Sequence, residues 1–320
     1  MRALVTGATG FIGRAVVERL RTLPGCSVVA AARGAPERLP AGVDQICVAN
    51  LSSNADWRGS LTGVDTVVHL AARVHVMHED NIDPLAEFRR VNVEGTLNLA
   101  RQAAAAGARR FVFISSIKVN GEQTAPGRPF NVDDAPAPGD PYGVSKLEAE
   151  QRLWKLAAET GLEIVVIRPP LVYGPGVKAN FLRMLNWLHR GYHLPFSAID
   201  NRRSLVALDN LVDLIITCCQ HPNAAQQTFM VSDGEDISTT ELLKRTAAAL
   251  GRPARLIPVP AGALRAVARA LGKADFAQRL CGSLQVDINQ TRHLLGWAPV
   301  IRLDDALADT ARQFLARADR

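Results

Sequence analysis

Two titratable side chains four residues apart, Tyr142 and Lys146, stand where a proline-rich loop gives way to a helical pattern in the stretch DAPAPGDPYGVSKLEAE. Residues at i and i+4 share one face of a helix, so a phenol and an ammonium group can meet in one pocket. The same spacing also suits a surface tyrosine beside a solvated lysine. The rest of the chain decides between these interpretations.

Three glycines near the start of the chain, Gly7, Gly10 and Gly13, follow a short apolar strand pattern and open a helical one in the stretch VTGATGFIG. Glycine permits a tight turn and a close approach of the backbone to a phosphate. The helix start adds free N–H groups and the positive end of its dipole, which favour a pyrophosphate. This strand–turn–helix context predicts a dinucleotide site; the alternative is a tight turn without a ligand.

The end of the second strand pattern carries no acidic residue where a site that prefers NAD usually has Asp or Glu, about twenty residues past the glycine loop. Arg33 stands there instead. Its guanidinium can pair with a 2′-phosphate and cannot accept a hydrogen bond from a ribose hydroxyl. The sequence therefore favours NADP(H), with NAD(H) as the alternative, although a solvated loop arginine fits this position nearly as well.

Short apolar runs alternate with helical patterns up to residue 170. Strands are predicted at Ala3–Thr6, Ser27–Ala31, Asp44–Val48, Thr66–Leu70, Phe111–Ser115 and Glu163–Arg168, and helices at Ile12–Thr22, Pro84–Ala106 and Gly143–Thr160. Apolar strands that alternate with helices indicate a parallel sheet covered on both faces. We therefore expect an α/β fold with a doubly wound parallel Rossmann sheet.

Prolines, glycines and helical patterns dominate after Pro169, which predicts a smaller, mostly helical C-terminal substrate domain. We place the dinucleotide-binding domain at 1–170, with a return segment at about 204–232 that includes a strand at Gln227–Asp233. The substrate domain then comprises 171–203 and 233–320.

Composition excludes several classes of protein. The chain has 320 residues, 48% of them hydrophobic and 21% charged, as in a globular protein of one large or two ordinary domains. The net charge of +6 suits an anionic small molecule, but the basic residues are scattered, so no nucleic acid partner is expected. The chain has no secretory signal, no membrane-spanning stretch and no C-x-x-C pair among its five cysteines. We expect a cytoplasmic protein without membrane insertion and with reduced thiols in or near its core.

One basic amphipathic segment, Ala261–Leu271, has two interpretations. It can be a helix that lies on a membrane surface. The preferred prediction is a helix whose apolar face packs on the core while its arginines face water.

Several motifs in a fixed order resemble the extended short-chain dehydrogenase/reductases, and within them the nucleotide-sugar epimerases and 4-ketoreductases. The motifs are the glycine loop Thr6–Gly13, HLAA at His69–Ala72, VNVEGTLNL at Val91–Leu99, FISS at Phe113–Ser116, YGVSK at Tyr142–Lys146 and RPPLVYGPG at Arg168–Gly176. The resemblance covers nearly the whole chain. It implies an NAD(P)-dependent oxidoreductase that acts at C4 of a nucleotide-activated sugar, with UDP favoured, in surface-polysaccharide sugar synthesis. It also implies a homodimer formed through the helices at Pro84–Ala106 and Gly143–Thr160.

The same resemblance assigns roles to individual residues. Tyr142 is expected to carry the proton of the sugar oxygen, Ser116 to hydrogen-bond that oxygen, and Lys146 to hold the nicotinamide ribose and lower the pKa of Tyr142. The expected cofactor-binding residues are Gly7, Thr9, Gly10, Phe11, Ile12, Gly13, Arg33, Asn50, Leu51, Leu70, Ala71, Ala72, Asn92, Tyr142, Lys146 and Pro169. The expected substrate-binding residues are Arg73, Ser116, Tyr142, Asn180 and Arg203, with Arg202 as a rival for the diphosphate. No metal is expected, and His75, His78 and Glu79 are interpreted as loop residues near substrate.

Four positions depart from the family pattern. The acid pair that follows the fifth strand in 4,6-dehydratases is replaced by Ile117 and Lys118, so we expect no elimination of water. Asn120 replaces the usual tyrosine, which bears on the identity of the substrate. Asn50 replaces a common aspartate near the adenine and can still hydrogen-bond it.

Two reactions use the same Ser, Tyr and Lys. A 4-ketoreductase takes hydride from free NADPH, whereas a 4-epimerase keeps NAD tightly bound and returns the hydride to the other face of the sugar. Arg33 favours the reductase by a modest margin, with a UDP-4-keto-6-deoxy-hexose or hexosamine as substrate, and the UDP-hexose 4-epimerase is the alternative. A non-catalytic protein that senses NAD(P) is the distant alternative, against which Tyr142 and Lys146 both argue.

Overall fold

The strands of the protein form one large parallel sheet and one small sheet. The computed structural model describes residues 1–33, 39–48, 50–74, 83–125, 127–272 and 274–318. The strands in this part of the chain are β1 Arg2–Thr6, β2 Ser27–Ala32, β3 Asp44–Cys47, β4 Thr66–His69, β5 Arg110–Ile114, β6 Glu163–Arg168, β7 Leu171–Tyr173, β8 Arg203–Ala207, β9 Gln227–Met230 and β10 Asp236–Ile237.

The large sheet has the order β3-β2-β1-β4-β5-β6-β9, and each neighbouring pair is parallel. The reversal of order on either side of β1 is that of a doubly wound nucleotide-binding fold, so the predicted fold class is confirmed. All six strands predicted before residue 170 begin and end within one residue of the observed strands. Except in β3, which is mostly exposed, the apolar runs of these strands are buried on both faces, so the strand boundaries are identifiable from the sequence.

The helices cover both faces of this sheet and build most of the C-terminal region. They are α1 Phe11–Arg21, α2 Pro84–Phe88, α3 Thr96–Ala105, α4 Pro141–Thr160, α5 Ala179–His189, α6 Leu208–Gln220, α7 Thr239–Ala249, α8 Ala261–Ala270, α9 Ala274–Cys281, α10 Asn289–Leu295 and α11 Leu303–Ala318. The predicted smaller, mostly helical C-terminal region is therefore present, with β7, β8 and β10 as a three-stranded sheet.

The helix predicted at Pro84–Ala106 forms without a break, but it is not α-helical throughout. A π-helical segment, Arg89–Gly95, joins α2 to α3, and the residues at both junctions have helical φ and ψ. A side chain at Gly95 would come within 2.9 Å of the backbone of Leu51, so this segment packs closely on the loop after β3. An apolar pattern with a helical period does not reveal the wider turns of such a segment.

Alternate residues of the strands supply separate cores on the two faces of the sheet. Val5 packs on one face with residues of α1 and α6, and Leu4 packs on the other with residues of α3 and α4. The main sheet also receives β9, beside β6, as predicted for Gln227–Asp233. However, β8 joins the small sheet, so the returning segment reaches the main sheet through α6 and β9 only.

The helix predicted at Ala261–Leu271 forms as α8 and packs on the core along only part of its apolar side. Ala261 and Leu264 are partly buried against the core of the C-terminal region, whereas Val267 and Leu271 are exposed and no residue of α8 is fully buried. The prediction of a core-facing helix therefore holds only in part, because the spacing of apolar residues shows that a helix is amphipathic and not what covers its apolar side. In the part of the chain that the structure describes, no helix combines the length and apolar character that a membrane crossing requires.

The cysteines are free thiols, as expected. Cys218, Cys219 and Cys281 are buried, and burial raises the pKa of each thiol. Cys47 at the end of β3 is exposed, so the expectation of a core or near-core position does not hold for it.

Candidate active site

A cleft of about 850 Å³ lies at the carboxyl ends of β1, β2, β4, β5 and β6. Ligand sites of doubly wound sheets occur at this edge. Every predicted cofactor-binding residue except Asn92 lines the cleft, and so do Arg73 and Ser116. The fold thus brings together residues from the glycine loop and from the loops after β2, β3, β4, β5 and β6.

The glycine loop closes tightly under the cleft. Gly7 has a φ of +66°, and a Cβ there would come within 2.9 Å of the backbone N of Ala71. A Cβ on Gly13 would come within 2.1 Å of the Gly7 carbonyl oxygen. Gly10 precedes α1 without a side-chain cap, and the first turn of α1 has no acidic residue. The N–H groups at this helix start therefore face the cleft and suit a pyrophosphate.

The charge of the cleft is positive. Among the described residues that line it, the ionisable cations are Arg33, Arg73, Arg90 and Lys146, and none is Asp or Glu. The carboxylate of Glu87 pairs with Arg90 at 2.9 Å and lies 3.9 Å from Arg73, so it offsets part of this charge from outside the lining. Arg33 is exposed at the end of β2. A cleft lined by positive charges attracts a ligand that carries several phosphates.

Ser116 is held at the cleft by an extension of the β5–β6 pairing. The backbone N–H of Ser115 donates to the Ile167 carbonyl at 2.8 Å, and the N–H of Ile117 donates to the Pro169 carbonyl at 3.0 Å. Ser116 is extended and its Oγ accepts the Lys118 N–H at 3.2 Å, which starts a 3₁₀ turn. This places a hydroxyl at the wall of the cleft directly after β5.

Tyr142 and Lys146 are placed by the start of α4. Asp140 caps this helix, since its Oδ1 accepts the Gly143 N–H at 2.7 Å, and Pro141 occupies the first turn. A Cβ on Gly143 would come within 2.9 Å of the Lys118 carbonyl oxygen, so the helix start packs against the turn that follows Ser116. The predicted i and i+4 relation holds, and both side chains line the cleft with Ser116.

Burial dominates the electrostatics of the pair. Lys146 is 2% exposed, and burial lowers its pKa to about 7, while the charge of Glu150 opposes this shift. Burial also raises the pKa of Tyr142 above its ordinary value, with a smaller contribution from the charge of Asp140. The net shift of the Tyr142 pKa is upward, because desolvation of the phenol is its largest cause. Tyr142 is a protonated phenol at neutral pH.

His69 of the HLAA motif has a structural position. Its ring is buried, with Nδ1 2.7 Å from Thr6 Oγ1 and Nε2 2.9 Å from Thr96 Oγ1. Burial, and to a lesser degree the charge of Lys146, lowers the pKa of His69 to about 3. The neutral ring ties β1 and β4 to α3. It stacks on Phe113, over which the Lys146 ammonium lies 4.1 Å from the ring centroid.

A buried polar network lies behind the catalytic candidates. Arg168 donates to Glu150 at 2.6 and 3.1 Å and to Asn120 Oδ1 at 3.0 Å, and the Ser115 hydroxyl also donates to Glu150. Asn120 is itself buried and does not line the cleft. The asparagine that replaces the usual tyrosine at position 120 therefore has a role inside the protein, where its side-chain oxygen accepts a hydrogen bond from Arg168.

Three predicted binding residues lie outside the lining of the cleft. Asn92 is 1% exposed, accepts the Arg73 N–H at 2.8 Å and donates to Ser145 Oγ at 3.0 Å, so it holds the loop after β4 against α4. Asn180 is exposed in the first turn of α5. The Arg203 guanidinium donates to the carbonyls of Arg279 at 2.8 Å and Gly282 at 3.0 Å. Burial lowers the pKa of Arg203.

Sequence reasoning missed some residues of the cleft. Trp57, Val74 and Arg90 line it and were not predicted to do so. Arg90 stands just before the VNVEGTLNL motif, whose position beside the cleft was the available signal. His75, His78 and Glu79 lie outside the described residues. Within the described residues, no group of three or more His, Cys, Asp or Glu could hold a metal ion.

The fold and the site together define a dinucleotide-dependent oxidoreductase of the short-chain dehydrogenase/reductase type. The close-packed glycines, the open N-terminus of α1 and the carboxylate-free lining fit a nicotinamide dinucleotide. A sequence profile of the NAD dependent epimerase/dehydratase family matches residues 3–232. The chain belongs to this family.

Individual proteins with known names are similar to this chain over nearly its whole length. The chain is 45% identical over 318 residues to a UDP-glucose 4-epimerase of Vibrio cholerae, covering 99% of this chain and 96% of that protein. It is 31% identical to a UDP-glucose 4-epimerase of Mycolicibacterium smegmatis, covering 98% of each. The structure of MoeE5 in complex with UDP-glucose and NAD superposes with a TM-score of 0.78 at 27% identity over the full length of both chains.

Proposed function

We propose that this protein reduces the C4 ketone of a UDP-linked 4-keto-6-deoxy-hexose or hexosamine with NADPH, in the synthesis of sugars for surface polysaccharides. The observation that carries the proposal is that Ser116, Tyr142 and Lys146 line one cleft with the glycine loop. A hydroxyl, a phenol and an ammonium group suffice for hydride chemistry at a sugar carbon without a metal. Relatives named as UDP-glucose 4-epimerases support a UDP-linked sugar as substrate.

When bound, the reduced nicotinamide supplies the hydride. Tyr142 donates its phenolic proton to the sugar O4 as the C4 carbonyl is reduced, and Ser116 donates a hydrogen bond to the same oxygen. Lys146 fixes the nicotinamide ribose and then stabilises the phenolate that remains.

The end of β2 supports NADPH over NADH. Arg33 lies at the rim of the cleft, and no described residue of the lining offers a carboxylate to a ribose 2′-hydroxyl. A guanidinium forms a charge-assisted bidentate contact with a phosphate.

A dehydratase is disfavoured by the turn after Ser116. Ile117 is buried, and Lys118 pairs with Asp140 and Glu122. No acid pair follows the serine, so the proton carriers that elimination of water needs are missing there.

The second candidate is a UDP-hexose 4-epimerase with tightly bound NAD. It is favoured by the names of the two relatives that match the chain over nearly its whole length. It needs the same three side chains, so the residues of the cleft are compatible with it.

Two measurements on one protein preparation separate the candidates. The dinucleotide released by denaturing the purified protein is identified, and turnover is measured with UDP-4-keto-6-deoxy-N-acetylglucosamine plus NADPH and with UDP-glucose plus NAD. Consumption of NADPH by a cofactor-free protein supports the reductase. Stoichiometric NAD in the purified protein, together with interconversion of UDP-glucose and UDP-galactose, refutes the reductase and supports the epimerase.

A further inference from the structure

Helix α8 bounds an apolar groove that the rest of the protein leaves open. The groove has a volume of about 260 Å³ and lies between α8, α9 and the segment around Phe196. All of its lining side chains are apolar, among them Phe196, Leu264, Val267 and Leu271. Two of these side chains belong to the most exposed apolar residues described in the chain, Val267 at 59% and Leu271 at 67%. A contiguous patch of exposed apolar side chains is typical of a surface that binds another protein, a membrane or an apolar ligand.

A second exposed side chain extends this apolar patch. Ile257, which is 45% exposed, lies three residues before the proline that starts α8, and its N–H donates to the Leu194 carbonyl at 2.8 Å. The two segments pair in parallel through Leu194 and Leu256, and Tyr192, two residues before Leu194, is also 48% exposed. We use "α8 surface" for Ile257, the groove and the exposed side of α8.

Arginines surround the α8 surface. Arg252, Arg255, Arg265 and Arg269 are exposed, and none forms an ion pair with a described carboxylate. The sequence from 242 to 274 contains seven Lys or Arg and no Asp or Glu. A helix with an apolar face and a strongly basic polar face is the pattern of helices that lie in the interface of an anionic membrane.

We propose that the α8 surface binds the surface of an anionic phospholipid bilayer, with Val267 and Leu271 inserted among the acyl chains and the arginines on the lipid phosphates. The charge excludes a second copy of the chain as the preferred occupant, because a symmetric contact would oppose two sets of unpaired arginines. A bilayer with negative headgroups complements both the apolar and the basic parts of the surface. No helix crosses the membrane in this arrangement.

The α8 surface adjoins the region of the predicted substrate arginine. Arg203 bonds the carbonyls of Arg279 and Gly282, and Arg279 is on α9, which also lines the groove. Binding through α8 would therefore hold this side of the substrate region near the lipid surface.

The test is co-sedimentation of the full chain with vesicles. Vesicles of phosphatidylcholine with about one-third phosphatidylglycerol are compared with vesicles of phosphatidylcholine alone, at low and at high salt. We expect binding to the anionic vesicles only, and its loss at high salt, because exposed charges are screened. Leu271→Ser should weaken binding at least about tenfold, since the variant has no leucine side chain to transfer from water into the acyl chains. Arg269→Gln should weaken it about fivefold.

Matched controls make the test specific. Val300→Ser removes an apolar side chain of similar exposure away from α8, and Arg101→Gln removes an exposed charge from α3. Both should bind as the unaltered protein does, and all four variants should keep its circular dichroism spectrum. Equal binding to neutral vesicles, no binding to anionic ones, or an equal effect of the controls would overturn the proposal. So would a fall in molar mass by light scattering for Leu271→Ser, which would identify the α8 surface as a contact between copies of the chain.

Discussion

Replacing Lys146 with methionine should stabilise the fold while abolishing turnover. The Lys146 ammonium is buried over Phe113, and the neighbouring carboxylate, Glu150, is already paired with Arg168. Lys146→Met removes a buried charge without leaving that carboxylate unpaired. The unbranched methionine side chain can follow the course of the lysine side chain, and its thioether can contact the Phe113 ring.

The size of the effect follows from the pKa of Lys146. Burial lowers this pKa from 10.5 to about 7, and one pKa unit corresponds to about 1.36 kcal/mol. The cost of burying the charged form is therefore at most about 5 kcal/mol, and we expect Lys146→Met to raise the free energy of unfolding by about 2–5 kcal/mol at or below pH 7. Between pH 7 and 10.5 the unfolded chain binds the proton that the folded chain releases, so the stability of the unaltered protein rises with pH. The advantage of the variant shrinks over that window by about 1.4 kcal/mol per pH unit.

Urea unfolding at several pH values between 6.5 and 9.5 measures this difference. Lys155→Met on the exposed side of the same helix is the matched control, and its effect should be small and independent of pH. A Lys146→Met protein that is less stable at pH 7, or a difference that does not change with pH, would refute the reasoning. Either result would mean that the ammonium is better solvated or better paired than its position implies.

Tyr142→Phe should remove turnover while the affinity for the dinucleotide, measured by fluorescence titration, changes less than about threefold, because only the proton carrier is lost. Retained activity would contradict the assignment of Tyr142 as the proton donor. Arg33→Asp should weaken NADPH binding at least about tenfold and leave NADH binding equal or better, and an unchanged ratio of the two affinities would place Arg33 in solvent. Glu150→Gln should cost about 3 kcal/mol in urea unfolding because it breaks a buried ion pair, whereas Glu148→Gln, which breaks an exposed pair with Arg89, should cost below about 1 kcal/mol; equal costs would contradict this. The chain should form a homodimer through the segment Pro84–Ala106 and α4, and light scattering that detects only monomer at micromolar concentration would reject that interface.

Most of the sheet and most of the cofactor cleft were predictable from the sequence. The strands β1, β2, β4, β5 and β6 are short runs buried on both faces, so most of their residues are apolar and their limits are sharp. The glycine loop was predictable for a related reason. The positive φ of Gly7 and the close contact at Gly13 exclude a side chain, so the presence of glycine at these positions indicates the backbone geometry of the loop.

Residues that act through long-range contacts could not be assigned in this way. Asn92 and Asn120 are polar residues in or near recognisable motifs, and only the folded chain directs them to Arg73 and Arg168 instead of to the cleft. The π-helical segment at Arg89–Gly95 was likewise not predicted, and its Gly95 packs against Leu51, about forty residues away in the sequence, a contact that no local pattern shows. Residue type gives the capacity for hydrogen bonding, and tertiary contacts decide the partner.

By itself, the sequence determined the fold class, the glycine loop and the placement of Tyr142 and Lys146 on one helix face, because each depends on local periodicity, on glycine geometry or on i and i+4 spacing, whereas Ser116 was predicted only from the resemblance to a known family. The tertiary structure alone decided the directions in which the pKa values of Tyr142 and Lys146 shift, since desolvation depends on everything that surrounds a group and not on its neighbours in sequence. It also decided the environment of α8. An amphipathic pattern specifies that one face avoids water, and only the packed chain shows that Val267 and Leu271 on that face remain exposed.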